Sequence, residues 1–181
     1  TNCYRFWSFE RALKGIADIG LKYVELGAVP GHCDHVAPEK MAEEDYKELT
    51  KLLNSYGLSA FSISGHSNLL EKEGVEQFKR RLELAAKLNI PIVNTGTGHA
   101  VDDESKQRAY ENILTIADYA DKLGITVALE THGGGLTGTG EECLAAMKRI
   151  NRSSIRINYD PANVVYYKGG KPEEDIKHIL P

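Results

Sequence analysis

The chain has 181 residues, of which 41% are hydrophobic and 27% are charged. This composition is typical of a globular domain and excludes disordered, collagen-like and coiled-coil proteins. The 22 basic and 26 acidic side chains give a formal net charge of -4. Because there is no basic surplus to neutralise a phosphate backbone, we expect no nucleic acid partner.

Cysteine usage and hydropathy bear on where the protein works. Cys3, Cys33 and Cys143 stand far apart and form no C-x-x-C pair, so neither a disulfide framework nor a zinc knuckle is predicted. A reducing, cytoplasmic environment fits this pattern. No apolar stretch approaches the ~20 residues that span a bilayer, and the first ten residues lack the order of a signal peptide. We expect no membrane association; an upstream signal and a homo-oligomer are both left open.

Short runs rich in β-branched residues alternate with longer amphipathic segments along the whole chain. Strands are predicted at residues 22–26, 58–64, 90–96, 125–130 and 155–160, and residues 2–5 are considered as the end of an earlier strand. This alternation of strand and helix predicts a parallel sheet. The sheet is either open and doubly wound or closed into a (β/α)8 barrel.

Helices are predicted between the strands. The first ends at Gly20, the second at Gly57 and the fourth at Gly124, where a left-handed glycine would turn the chain back toward the sheet. The fifth begins with a capping box at residues 139–142. The sixth begins at Pro172, because proline is favoured in the first turn of a helix.

The alternation of side chains within the strands favours the barrel. In the strand at 125–130, Val127 and Leu129 would face helices while Glu130 faces the other way. In the strand at 58–64, the same alternation places Phe61 and Ile63 against helices. A sheet covered on both faces would be apolar on both, whereas one face that becomes polar toward the strand ends is typical of a barrel with a site at its top.

The predicted fold class is therefore α/β, a (β/α)8 TIM barrel that is incomplete in this chain. About six βα units are predicted within residues 1–181, which form a single domain covering the N-terminal and central part of the barrel. Typical barrels take about 250 residues. We therefore expect strands seven and eight beyond Pro181.

Two inward-facing acids are the main candidates for chemistry. Glu130 and Asp160 end successive strands at the face where barrels bind and react. A carboxylate removed from water must be paired, be protonated or bind a metal. Two interpretations stay open: the two acids form half of a divalent metal site, or Glu130 pairs with Arg156 while Asp160 caps the following turn.

Several histidines lie near the predicted strand ends. His132 follows the first acid and precedes three glycines, which would let a ligand approach the backbone closely. His66 and His99 follow two other strands, where each could contact a substrate. His32 and His35 lack the spacing of a known zinc motif, so a surface loop is predicted there. No phosphate-binding loop, nucleophile elbow or dinucleotide-binding fingerprint is present in the sequence.

The motifs VALETHGG at 127–134 and INYDPANVVYY at 157–167 are the most specific in the chain. Together with ISGHSNL at 63–69 and the segments 12–26 and 85–96, they resemble the xylose isomerase-like TIM barrels. This family includes sugar and sugar-phosphate isomerases and epimerases, inosose-type dehydratases and an endonuclease IV branch. Its divalent metal is held by a Glu ending strand five, an Asp ending strand six, a His after strand seven and a Glu ending strand eight.

Glu130 and Asp160 match the first two of these ligands, and the other two are expected beyond Pro181. The resemblance implies that Glu130 is also the catalytic acid–base group. It implies a divalent metal cofactor, Mn²⁺ first, with Mg²⁺, Co²⁺ or Zn²⁺ as alternatives. It further implies a pocket for a small carbohydrate substrate that is lined by His66, His132, Asn163 and Glu25.

The implied reaction is isomerisation or epimerisation of a sugar or sugar phosphate through a metal-stabilised enediolate. An inosose- or dehydroshikimate-type dehydratase is the alternative, because the same intermediate can expel a β-hydroxyl group. A non-catalytic sugar-binding barrel is a second alternative. The nuclease branch is disfavoured because Asn163 stands where that branch carries a zinc-binding histidine, and a neutral amide is a poor zinc ligand.

Overall fold

The chain forms five β-strands connected by helices, in a computed structural model that describes residues 1–180. Pro181, after which two further strands were expected, lies outside the described residues. The strands are β1 (Tyr23–Gly27), β2 (Ser59–Ser64), β3 (Ile92–Thr95), β4 (Thr126–Glu130) and β5 (Ile155–Asn158). The helices are α1 (Phe9–Asp18), α2 (Glu43–Ser55), α3 (Lys72–Lys87), α4 (Asp103–Leu123), α5 (Gly140–Ile150), α6 (Pro161–Lys168) and α7 (Pro172–Asp175).

The order of the strands in the sheet is their order in the chain, and all neighbouring pairs are parallel. A doubly wound sheet reverses its strand order at a switch point, and the sheet of the described residues has no such reversal. The predicted fold class is confirmed, and the sheet is part of a TIM barrel. The segment considered as an earlier strand end instead forms a 3₁₀ helix at Asn2–Tyr4.

Three helices end just before the glycines where the sequence predicted their ends. Gly20, Gly57 and Gly124 have φ values of 83°, 64° and 68°, a left-handed conformation that glycine adopts without steric cost. Helix α6 is absent from the predicted elements, because its eight residues carry no clear apolar stripe. The helix predicted at Pro172 is a single turn, α7, followed by a 3₁₀ turn.

The predicted alternation holds in β4, where Val127 and Leu129 are buried in the core between the sheet and the helices. It fails in β2. Ala60 and Ser62 pair with consecutive residues of β1, so that Phe61 is an inserted residue. Because the bulge adds one residue to β2, the residues before it face opposite to what the alternation of the residues after it predicts. The placement of Phe61 against helices is therefore wrong: its side chain is 52% exposed, and its ring lies 6.3 Å from that of Tyr23.

A buried arginine connects the segment after β1 to the rest of the domain. Arg81, in α3, is 1% exposed. Its Nε donates to the carbonyl oxygen of Ala28 at 3.1 Å, and its guanidinium donates to the carbonyl of Gln77 and to both carboxylate oxygens of Glu39. Because a buried charge is tolerated only when its donors are satisfied, these contacts together hold the β1–α2 connection in place. Within residues 1–180, no helix is both long enough and apolar enough to cross a membrane.

We expect Glu39→Gln to lower the free energy of unfolding by about 2 kcal/mol at neutral pH, because it leaves Arg81 buried without a carboxylate partner. Burial alone would raise the pKa of Glu39, but hydrogen bonds from Arg81 and its charge outweigh burial and lower that pKa. The stabilisation is therefore complete above the unfolded-state pKa and is lost as the pH falls through the folded-state pKa. Urea unfolding should show the wild type and the variant converging in acid.

The matched control is Glu48→Gln, which removes a surface carboxylate that forms an ion pair with Lys51. Its effect should stay below about 0.5 kcal/mol at every pH. A stability difference between wild type and Glu39→Gln that does not change with pH would contradict the proposed ion pair.

Candidate functional site

A cavity of about 420 Å³ lies at the carboxyl ends of the strands, the edge where parallel barrels bind their ligands. The fold brings all the sequence-predicted site residues to this one cavity. Its lining includes Glu25, His66, Glu130, His132, Asp160 and Asn163. Their individual roles stay predictions.

The Glu130 carboxylate is held by three side-chain amides. Its Oε2 accepts from Nδ2 of Asn94 at 2.7 Å and of Asn158 at 3.4 Å, and its Oε1 accepts from Nδ2 of Asn163 at 3.1 Å. The alternative pairing with Arg156 is wrong, because the Arg156 guanidinium donates to a backbone carbonyl of its own strand. Neutral amides fix the orientation of the carboxylate without cancelling its charge.

Asp160 caps helix α6. Its Oδ1 accepts the backbone N–H groups of Ala162 at 2.8 Å and Asn163 at 3.1 Å, as the capping interpretation expected. No described residue donates a hydrogen bond to Oδ2 of Asp160. Capping and metal binding are therefore compatible, since one carboxylate oxygen serves the helix and the other is available to a ligand.

His66 lies beside Glu130, with its Nε2 3.6 Å from Oε2 of that carboxylate. Its Nδ1 is 3.3 Å from the Ser64 hydroxyl. Burial lowers the pKa of His66, and the opposing charges of Glu130 and Glu25 do not outweigh it. The imidazole is therefore neutral near pH 7 and offers one donor and one acceptor. Glu25 is in turn oriented by the Ser62 hydroxyl, which donates to its Oε2 at 2.8 Å.

The glycines after His132 accommodate aromatic side chains. The His132 ring packs on that of Tyr167, with their centroids 4.4 Å apart, and a Cβ atom at Gly133 would lie 2.6 Å from the Tyr167 side chain. A Cβ at Gly134 would lie 2.2 Å from the ring of His99. His99 lines a second cavity of about 330 Å³, which shares His66 and His132 with the first.

Sequence analysis missed several residues of the site, among them His32 and Asn94. His32, predicted to lie in a surface loop, lines the cavity. Asn94 is 4% exposed, and its Oδ1 has no hydrogen-bond partner among residues 1–180. Because Nδ2 of Asn94 must face the Glu130 carboxylate, which only accepts, Oδ1 is the unsatisfied end of the amide. The signal available in the sequence was its position at the end of a strand, with the same facing as Glu130.

The donor set fits a hard divalent cation. Carboxylate oxygens are the ligands that Mg²⁺ and Mn²⁺ prefer, and Glu130, at the end of β4, and Asp160, just after β5, present such oxygens at one cavity. In the described part of the chain, no three His, Cys, Asp or Glu side chains form a cluster that could hold a metal ion. Two carboxylates alone would need further ligands to complete a metal site.

The cap at Asp160 can be separated from its predicted role as a ligand. Asp160→Ala should lower the free energy of unfolding of the metal-free protein by about 1 kcal/mol, because two N–H groups of α6 lose their acceptor. Asp160→Asn should cost no more than a few tenths of a kcal/mol, since asparagine is an equally good cap. Chemical denaturation of the two variants provides the comparison. An equal loss in both would contradict the capping role.

Solved structures share this architecture. A xylose isomerase-like TIM barrel protein from Mycobacterium smegmatis, in complex with magnesium, matches 96% of this chain with a TM-score of 0.80 and 22% identity. D-psicose 3-epimerase in the presence of D-fructose matches 96% with a TM-score of 0.75 and 20% identity. A probable 3-DHS dehydratase from Bacillus anthracis matches 94% with a TM-score of 0.72 and 20% identity. This chain covers 63%, 65% and 63% of those structures, and at such identities the likeness shows the fold.

Among curated proteins, a probable L-ribulose-5-phosphate 3-epimerase from Mycoplasma pneumoniae is 29% identical over 122 residues. The match covers 64% of this chain and 40% of that relative. The sequence profile of the xylose isomerase-like TIM barrel matches residues 13–180, which includes every motif that carried the resemblance except the first residue of the helix pattern at 12–26. The chain therefore belongs to the xylose isomerase-like TIM barrel family.

Proposed function

We propose that this protein is a metal-dependent sugar epimerase or isomerase that moves a proton at a carbon next to the carbonyl of a ketose or ketose phosphate. The observation that carries the proposal is that Glu130, which ends β4, and Asp160, which follows the neighbouring parallel strand β5, line one cavity. The similarity to an L-ribulose-5-phosphate 3-epimerase supports the reaction class. The structural similarity to D-psicose 3-epimerase supports a small carbohydrate substrate.

Glu130 is the proposed acid–base group. Proton transfer next to a carbonyl needs a carboxylate held within reach of the carbon, and three amides hold this one in a single orientation. The cavity supplies donors and acceptors for sugar hydroxyl groups through His66, His132 and Asn163, with Glu25 as a further acceptor.

Glu130 and Asp160 are the proposed metal ligands. A bound divalent ion would stabilise the negative charge that develops on the substrate oxygens when the proton leaves. The match to a protein in complex with magnesium supports a hard divalent cation, and we propose Mn²⁺, with Mg²⁺, Co²⁺ and Zn²⁺ as alternatives. Because two carboxylates do not complete such a site, we propose that barrel strands beyond residues 1–180 supply the remaining ligands.

The thiol groups support a reducing, cytoplasmic location, which we propose as well. All three cysteines are free thiols. Cys33 and Cys143 are buried, and Cys3 is exposed. Burial raises the pKa of Cys143 to about 12, so its thiol is protonated and inert at neutral pH. No cysteine enters the proposed mechanism.

The reaction is tested by incubating the protein and Mn²⁺ in deuterated water with a panel of ketoses and ketose phosphates. NMR should show deuterium entering at the carbon next to the carbonyl, together with the formation of an isomer. Glu130→Gln should slow this exchange at least ~10²-fold, because it preserves size and removes the base. Glu141→Gln, which changes an exposed glutamate of α5, is the matched control and should exchange like the wild type.

The same experiment separates the alternatives. A dehydratase, which the Bacillus anthracis neighbour supports, would release water and give an unsaturated or deoxy product. A sugar-binding barrel without activity would bind a ketose and catalyse no exchange. Full exchange activity in Glu130→Gln would contradict the proposed mechanism in both of its catalytic forms.

Metal binding is tested separately by titrating Mn²⁺ into metal-free protein in a calorimeter. We expect binding that weakens at least ~10-fold in Asp160→Asn, because an amide oxygen replaces a charged ligand. The stability of this variant stays near that of the wild type, so a loss of affinity would not reflect unfolding. Wild-type protein that takes up no Mn²⁺ would contradict the metal site.

A further inference from the structure

The hydrogen-bond ladder between β4 and β5 changes its pattern at Thr131. The Thr131 N–H donates to the carbonyl of Asn158 at 3.0 Å, as in a regular parallel ladder. The next ladder bond would join the Thr131 carbonyl to the N–H of Asp160. Instead, that N–H donates to the Thr131 hydroxyl oxygen at 2.6 Å, and the hydroxyl donates to the Asp160 carbonyl at 3.1 Å. A side chain has taken the place of a backbone carbonyl.

The substitution releases the Thr131 carbonyl for another partner. Nδ2 of Asn163 donates to this carbonyl at 3.0 Å and to Oε1 of Glu130 at 3.1 Å. One amide group is thus shared between the strand that carries Glu130 and the carboxylate of Glu130 itself. Because Asn163 lies in the helix that Asp160 caps, the Thr131 hydroxyl and carbonyl together join both acids into one network.

The network is shielded from water at its centre. Thr131 is 0% exposed, so its hydrogen bonds do not compete with solvent and are stronger than they would be at the surface. A hydroxyl that both donates and accepts within one neighbouring residue also permits little relative movement of the two strands. The region is therefore rigid where Glu130 and Asp160 leave the sheet.

We propose that Thr131 is a positioning residue whose hydroxyl sets the separation and orientation of the Glu130 and Asp160 carboxylates. The inference rests on the proposed function, in which these carboxylates bind a divalent metal. Without the hydroxyl, the Asp160 N–H would turn to the Thr131 carbonyl and compete there with the Asn163 amide. Asn163 would then lose one of its two acceptors, and Glu130 would lose the support of an anchored amide.

The central variant is Thr131→Val, which keeps the β-branched shape and removes only the hydroxyl. In the metal-free protein, we expect the Asn163 side-chain amide resonances to shift and the Asp160 amide proton to change its exchange rate. Mn²⁺ affinity should fall at least ~10-fold, the size typical of losing a group that orients a metal ligand. Thr131→Ser keeps the hydroxyl, so both readouts should return close to wild-type values.

Thr126→Val is the matched control, since Thr126 begins the same strand at the end far from the cavity. It should change neither readout. A Thr131→Val protein with wild-type Mn²⁺ affinity and unchanged Asn163 resonances would overturn the inference. A third outcome is that Thr131→Val changes the Asn163 resonances and the Asp160 exchange rate, but even the wild type binds no Mn²⁺. The hydrogen-bond network would then be correct, and the proposed metal site and the positioning role of Thr131 would both be wrong.

A measurement on the wild type covers the case in which Thr131→Val does not fold. The Thr131 hydroxyl proton should give its own slowly exchanging resonance, with a nuclear Overhauser effect to the Asp160 amide proton. A hydroxyl proton that exchanges rapidly with water would overturn the inference without any variant.

Discussion

The parallel register of β4 and β5 is the constraint on which the site depends. Glu130 pairs with Asn158, so that the last residue of one strand faces the last residue of the other, and Asp160 follows two residues later. Both acids therefore leave the sheet at the same edge. A shift of one residue in this register would send one of the two side chains to the helix-covered face, and the cavity would keep a single carboxylate.

Two acidic side chains of the fold have different kinds of partners. Glu39 is paired with the buried Arg81. The same guanidinium also donates to two backbone carbonyls and so holds the β1–α2 connection in place. Glu130 receives neutral amides and a neutral imidazole instead, and it keeps its charge at the wall of a cavity. The first arrangement serves stability. The second holds a carboxylate at the cavity with neutral hydrogen-bond donors and, among residues 1–180, no Lys or Arg partner, an arrangement compatible with the proposed metal ligand and acid–base group.

The helix after β5 links the fold to this chemistry. Asp160 caps α6, and α6 carries both Asn163, which holds Glu130, and Tyr167, on which the His132 ring packs. Glycine at position 133 lets the loop after β4 lie directly against Tyr167. The loop after β4 is thereby packed against α6, and the part of the cavity wall formed by this loop and helix includes the residue that caps the helix.

The sequence by itself determined the fold class, because strand–helix periodicity and the facing of Glu130 and Asp160 are local properties of the backbone. It also determined which residues reach the cavity from β4 and β5, since each strand alternates in a fixed way. The sequence did not reveal the bulge that exposes Phe61, because an inserted residue is recognised only from the pairing of β2 with β1. Helix α6 was missed because eight residues carry too little periodicity to be detected.

Only the tertiary structure determined the hydrogen-bond partners of Glu130 and Asp160. Glu130 had a plausible partner in Arg156, two residues before Asn158 in the same strand, yet its partners are amides from β3, β5 and α6. The exchange of a backbone carbonyl for the Thr131 hydroxyl is likewise a product of two strands meeting. Such contacts join residues far apart in the chain, and their distances are set by packing, whereas the facing of a side chain within one strand is set by the local backbone alone.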